Sequence, residues 1–372
     1  MAPLAGLYTP IATPFRNDAL DDAALRRNVE RYMQTRLTGL VVLGSNGEAV
    51  MLDDSEAERA VAAARSAMPS TRPLIAGTGA ESTRGTIAAT LRAANAGADA
   101  VLVRTPAFFK NMMNADVYVR HYTAVAEASP VPVLLYNVSM FTGVTLPPDA
   151  VGLLAEHPNI VGMKESGSDA ALLADYIARS SDGFFVLAGS GLTFFNGLVA
   201  GAQGGILALA GVVPDLCAEI VDHVRARRYD EARACGEESL AIYRALGATN
   251  DIAGSSMYLG DIALALGDDD RAEALYAESV AILRMRRNSI ALAYPLRQLG
   301  YLALRRGQPE QAAALWAESL RHNLVVSDRQ GVAACLVGLA TGAAAAGQHE
   351  RAAQLLGHAD MLLEALQTRL LP

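Results

Sequence analysis

Within the first 228 residues a short apolar or β-branched run gives way eight times to a longer, more amphipathic stretch, and this count constrains the fold more than any other feature. The runs Gly6–Ile11, Gly39–Leu43, Pro73–Gly77, Ala100–Arg104, Val131–Tyr136, Ile160–Lys164, Phe184–Ala188 and Gly204–Leu207 read as strands. Asp22–Thr35, Ser55–Ala67, Thr83–Ala96, Ala115–Ala128 and Ser168–Arg179 carry the period of helices. Parallel strands need a crossover between them, and a helix supplies it. Eight such units predict an α/β fold closed as a (β/α)8 TIM barrel. A doubly wound open sheet is the lesser alternative, because no Gly-x-Gly-x-x-Gly turn follows the first strand.

Beyond Tyr229 the strands stop and a repeat begins. Gly267, Gly307 and Gly347 stand 40 residues apart, as do Ala272, Ala312 and Ala352, and Leu275, Leu315 and Leu355. Each unit reads as a helix ending at glycine, a short turn, and a second helix starting near Arg271, Gln311 or Arg351. Glu278-Ser279 and Glu318-Ser319 keep the same step, and Glu238-Ser239 carries it backward, so Leu216–Arg227 reads as a helix shared by barrel and array. By period and helix pairing alone the tail is similar to tetratricopeptide-like arrays. The expected domains are residues 1–228, a barrel, and 229–372, an all-α repeat region. Tyr276 and Trp316, equivalent in the repeat, read as packing residues.

Charge and composition narrow the function classes. A net charge of -8 and a pI near 5.3 argue against nonspecific nucleic-acid or acidic-membrane partners. Cys217, Cys235 and Cys335 are scattered and lack metal-ligand spacing, which fits a reducing cytoplasm. The start lacks a basic segment leading into an apolar one, and Gly204–Pro214 is too short to span a bilayer, so neither export nor membrane insertion is expected. The six histidines show no paired spacing, and surface or helix-end roles are expected for them, with no metal. Asp268-Asp269-Asp270 reads as the acidic start of a helix.

The chain holds only two lysines, Lys110 and Lys164, among many arginines. A guanidinium stays protonated, whereas a desolvated lysine can become a neutral amine and attack a carbonyl. Reacting groups in TIM barrels project from the C-terminal ends of strands, and Lys164 ends the sixth. Tyr136 ends the fifth, next door, where its phenol could carry protons. After the second strand, Gly44-Ser45-Asn46-Gly47-Glu48 is a tight turn whose amides and hydroxyl suit a carboxylate. Together these parts suit a 2-oxo acid: Lys164, Tyr136 and Ser45 as catalytic residues, Asn46 and Gly47 in the carboxylate turn, Gly189 and Ile206 closing the pocket from strands seven and eight. Lys110 reads as a solvated loop lysine.

These residues resemble a known superfamily, the dihydrodipicolinate synthase and N-acetylneuraminate lyase class I aldolases. The resemblance runs from Gly6 to Arg227 and rests on Thr13-Pro14-Phe15, the Gly44–Glu48 turn, Ala76-Gly77-Thr78-Gly79, Gly97-Ala98-Asp99, Thr105-Pro106, Tyr136-Asn137-Val138 with Thr142-Gly143, and Gly162-Met163-Lys164-Glu165-Ser166. It implies a Schiff base between Lys164 and pyruvate or a related 2-oxo acid, a proton relay through Tyr136 and Ser45, and no cofactor, since the protonated imine is itself the electron sink. Ser45-Asn46 and Leu187-Ala188-Gly189-Ser190 look most like the 4-hydroxy-2-oxoglutarate aldolase branch. Three departures stand out. Phe108-Phe109 replaces a tyrosine pair, and Ser139 a proline. Phe141 replaces the arginine that holds a second carboxylate in the synthases. The family's short helical extension looks replaced by the repeats, which leaves a homo-oligomer and a protein partner on the repeats open. The leading expectation is a carbon-carbon lyase. The alternatives are a barrel that has lost turnover and serves as a scaffold, or a dihydrodipicolinate synthase-like condensing enzyme.

Overall fold

The structure, a computed structural model, describes residues 4–167, 170–286, 289–325 and 329–365. The chain divides into two compact units, Met1–Ala232 and Arg233–Pro372, and the division falls inside the helix Tyr229–Leu246.

The first unit is the TIM barrel. Its strands are β1 (Leu7–Pro10), β2 (Gly39–Val42), β3 (Leu74–Gly77), β4 (Ala100–Arg104), β5 (Val133–Asn137), β6 (Ile160–Glu165), β7 (Phe185–Ala188) and β8 (Gly204–Ile206). All eight pair in parallel with their neighbours, and β1 bonds both β2 and β8, so the sheet closes. A two-stranded ribbon, Phe15–Arg16 with Ala19–Leu20, follows β1 and was not visible in the apolar pattern. The strands read as continuous apolar runs because both faces are covered, one by the interior and one by helices. Tyr8, Val41, Ile75, Leu102, Leu134 and Leu187 meet in one cluster of that core. Helices Asp22–Tyr32, Asp54–Ser66, Thr83–Asn95 and Ala115–Ala128 match the sequence reading to within a few residues at their ends, and all four start where Asp21, Asp53, Ser82 or Asn114 accepts a free amide of the first turn. Ala170–Arg179 is the next helix, and its expected start at Ser168 lies outside the described residues.

One histidine departs from expectation. His121 is 5% exposed, its Nδ1 2.9 Å from Thr83 Oγ1, and burial pulls its pKa down to about 4. It faces the neighbouring helix because Tyr118, Tyr122 and Val125 place the buried stripe of Ala115–Ala128 on its side.

The second unit is all helical. Thr249–Ala265, Asp269–Met285, Ser289–Arg305, Pro309–Val325, Arg329–Ala345 and His349–Ala365 each have 17 residues. The later member of each glycine-linked pair starts two residues before Arg271, Gln311 or Arg351. Gly267, Gly307 and Gly347 have φ of +78°, +72° and +75°, the left-handed turn that lets the next residue's amide reach back five residues to a helix carbonyl, as Asp268 does to Ala263 at 2.8 Å. The large rings lie against glycines on the same step. A Cβ at Gly260 would stand 2.8 Å from the Tyr276 ring, and one at Gly300 2.5 Å from Trp316 Nε1. Both rings are buried, Trp316 Nε1 donates to the carbonyl of Arg297, and the Tyr276 hydroxyl donates to the buried carboxylate of Asp261.

Arg227, one repeat step before Gly267, occupies the same left-handed position with φ +56° and the same back-reaching bond, Arg228 to His223 at 2.8 Å. A Cβ there is strained by about 1 kcal/mol. Arg227→Gly is therefore expected to stabilise the chain by up to about 1 kcal/mol, read as a higher urea midpoint at unchanged slope.

Candidate active site

The site begins with register. β5 and β6 pair Tyr136 with Lys164 and Asn137 with Glu165. Strand alternation then sends one pair to each face of the sheet.

On one face Lys164 is 4% exposed, its Nζ 3.5 Å from the Tyr136 hydroxyl and 4.6 Å above that ring. Desolvation lowers the lysine pKa, and Tyr136 and Glu165 offset part of the effect. The Tyr136 hydroxyl lies 3.1 Å from Ser45 Oγ, so the three groups form a line from the buried amine to the mouth. Space for the amine depends on the next strand: a Cβ on Gly189 would stand 2.8 Å from Lys164 Cε and 2.7 Å from the carbonyl of Glu165. Ile206, fully buried, belongs to the same core cluster as Tyr136.

On the other face, Asn137 and Glu165 are fully buried. The amide of Asn137 donates to Glu165 Oε2 at 2.6 Å, and its carbonyl oxygen accepts from the amide of Leu146 at 2.9 Å. This pair ties the ends of β5 and β6 together behind the reactive groups. The sequence reading missed it, because nothing in either strand alone gives the register that makes the two residues partners.

Ser45, Asn46 and Gly47 form a single 3-10 turn between Leu43 and Glu48, whose φ angles of +56° and +53° put non-glycine residues in the left-handed region. Strain of this kind, about 1–2 kcal/mol for each, is held in place from outside. Gly77 leaves room for the carbonyl of Leu43, which would stand 1.9 Å from a Cβ there, and Thr13 Oγ1 donates to the carbonyl of Gly47 at 2.6 Å. The amide of Gly47 donates to the carbonyl of Gly44 at 3.0 Å, so Gly47 shapes the turn, while Asn46 projects from it exposed.

A cavity of ≈ 960 Å³ opens over Ser45 and Tyr136, while Asn46, Gly47, Lys164, Gly189 and Ile206 are not part of its lining. Ser45 and Tyr136 line it, with Val138, Phe141 and Thr142 continuing the wall, and Lys164 lies behind Tyr136. Glu81 frames another side. Burial would raise its pKa, but the amides of Ala107 and Phe108, each at 2.8 Å, and Arg104 at 2.7 Å outweigh it and hold the carboxyl below the usual range. Phe108 and Phe109 are both exposed and meet edge to face with ring centres 5.0 Å apart.

A buried amine at a barrel strand's end, in line with a phenol and a hydroxyl, is the arrangement on which the comparison with known proteins turns. Residues 3–260 match the model of the dihydrodipicolinate synthetase family. The chain belongs to that family. The match runs to residue 260, past Arg227, where the resemblance read from the sequence stopped. Among its relatives, the probable mitochondrial 4-hydroxy-2-oxoglutarate aldolase of Emericella nidulans is 36% identical over 61% of this chain and 76% of the relative. The 4-hydroxy-tetrahydrodipicolinate synthase of Xanthomonas campestris is 38% identical over 62% and 76%. The dihydrodipicolinate synthase of Acinetobacter baumannii, solved with pyruvate, superposes with a TM-score of 0.59 at 33% identity, covering 62% of this chain and 79% of that one. An Escherichia coli K12 prophage protein of the same family, also solved with pyruvate, gives 0.61 at 28% identity, covering 71% and 89%. Among the described residues no helix is long and apolar enough to cross a membrane.

Proposed function

We propose that the barrel of this family member is a Schiff-base aldolase for pyruvate or a related 2-oxo acid, most like 4-hydroxy-2-oxoglutarate aldolase. The observation that carries the reading is the buried Lys164 amine in line with Tyr136 and Ser45. Relatives of both aldolase and synthase type, and two family structures that hold pyruvate, support it.

The lowered pKa leaves more Lys164 neutral near pH 7 than a solvated lysine would be, and the neutral amine attacks the C2 carbonyl of the keto acid. The resulting alkoxide takes one proton passed on from the nitrogen and one from Tyr136 and leaves as water, and the protonated imine remains. In a 4-hydroxy-2-oxo acid the C4 hydroxyl then gives up its proton to the Tyr136 phenolate and the C3–C4 bond breaks. Its electrons move into the imine to form an enamine, and an aldehyde departs. Protonation of C3 and hydrolysis release pyruvate and restore the amine. Ser45 takes up and returns the proton that Tyr136 handles, and the Ser45-Asn46-Gly47 turn faces the substrate carboxylate.

Incubation with pyruvate and borohydride, followed by peptide mass mapping, tests the reading. A reduced pyruvyl adduct on Lys164 is expected, and an unmodified lysine in folded protein would refute the proposal. It would favour instead the scaffold reading, which draws on Phe109 and Phe141, exposed side chains that can neither transfer a proton nor hold a carboxylate. Tyr136→Phe is expected to keep Lys164 in place and slow adduct formation by about a hundredfold or more, the usual scale of a lost proton carrier, measured by trapping at timed intervals.

A further inference from the structure

We propose that Lys110 is the substrate-binding cation on the acceptor side of this cavity, and that it selects 2-oxo acids carrying a second, distal carboxylate. The inference rests on the imine-forming reading above and adds to it the residue that holds the distal carboxylate of a 2-oxoglutarate-type substrate.

Three cations line the cavity: Arg92, Arg104 and Lys110. Arg104 is bound to Glu81 at 2.7 Å and Arg92 to Asp54 at 2.5 Å, so their charges are met within the protein. Lys110 has no carboxylate partner among the described residues. Lys110 is exposed, and its side chain runs back toward Gly143. Gly143, at φ +65°, ends the helix Ser139–Thr142, and a Cβ there would stand only 2.5 Å from Lys110 Nζ and 3.2 Å from its Cε. The lysine end therefore lies against the bare backbone of that glycine. Gly143 directly follows Phe141 and Thr142, which line the cavity on the wall that runs on from Tyr136 through Val138.

This placement answers the loss at position 141. Phe141 is 66% exposed and offers no donor, whereas Lys110 brings a positive charge to the same wall. A substrate with one carboxylate at the Ser45 turn and its C2 on Lys164 extends its far end along this wall. A carboxylate at that end meets the uncompensated ammonium, and a methyl group would leave it unmatched. The carbon-carbon cleavage then releases an aldehyde that itself carries a carboxylate.

Borohydride trapping reads the inference without requiring turnover. The half-saturating concentration for adduct formation is measured with pyruvate, with 2-oxoglutarate, and with 2-oxopentanoate, which has the same chain length and a methyl end. The native protein is expected to favour 2-oxoglutarate over 2-oxopentanoate. Lys110→Met is expected to raise the 2-oxoglutarate value by about tenfold to a hundredfold, the range of a lost hydrogen bond between charged groups, and to leave pyruvate and 2-oxopentanoate unchanged. Lys110→Arg is expected to keep most of the preference. Unchanged pyruvate trapping in both variants shows that the fold is intact. If native protein traps pyruvate yet shows no preference for the diacid, or if Lys110→Met shifts all three acids alike, the assignment of Lys110 is overturned while the aldolase reading stands. If native protein traps none of them, the aldolase reading itself falls and takes this inference with it.

Discussion

Lys164→Met is expected to remove the trapped adduct completely, to cut carbon-carbon cleavage by about a thousandfold or more, and at the same time to stabilise the fold. The first two effects follow from losing the buried amine that lies 3.5 Å from the Tyr136 hydroxyl, itself 3.1 Å from Ser45 Oγ. The third follows from linkage. Burial holds the folded-state pKa of Lys164 below its unfolded value, so between the two the unfolded chain binds more protons and stability rises with pH. The buried lysine thus costs most below its folded pKa, and the cost fades toward pH 10.5. Methionine fills similar space without a charge. Denaturant titrations of both proteins across pH should show the variant's advantage greatest at neutral and acidic pH and vanishing in alkali. An equal or less stable variant at pH 7 would mean that the amine is better solvated than its 4% exposure implies.

Gly189→Ala is the second large effect. The added methyl would stand 2.2 Å from Ser166 Oγ, 2.7 Å from the carbonyl of Glu165 and 2.8 Å from Lys164 Cε. The hydroxyl can rotate away, but the carbonyl accepts the Gly189 amide and the lysine stem is packed, so the backbone or the amine must move. Overpacking of this kind costs about 1–3 kcal/mol, and a shift of the reacting nitrogen by an ångström lowers the rate by about a hundredfold. Unfolding midpoints and timed trapping measure the two separately. A variant with native stability and native trapping would show that β7 does not confine the lysine.

The barrel was legible because each strand is a short apolar run bounded by turn residues, and eight such runs with helical spacers leave few closed arrangements. Lys164, Tyr136 and Ser45 were legible because position at a strand's end gives an address in a barrel, whatever the side chains do. What escaped were facts of pairing between strands and between loops. The Asn137–Glu165 bond requires knowing that β5 and β6 are offset so that Tyr136 meets Lys164, and the register shift between Val133 and Leu134 that sets this offset leaves no periodic mark. His121 looked like any polar residue on a helix until Thr83 was found beside it. Lys110 read as a solvated loop lysine and is exposed, but its nearness to Gly143, far along the chain, left no mark in the sequence. The 40-residue step gave the helical pairs, while the rings of Tyr276 and Trp316 resting on Gly260 and Gly300 needed coordinates.

That last feature bears on how such a chain can grow. Tyr276 and Trp316 each meet a glycine from the helix before, and each left-handed glycine closes its own helix, so the joints inside a helix pair lie within one 40-residue segment, while Trp316 against Gly338 and Arg284 with Glu318 join one segment to the next. An in-frame duplication or loss of one segment would therefore keep the turn and the ring contact inside each helix pair intact and leave only the contacts between pairs to be remade.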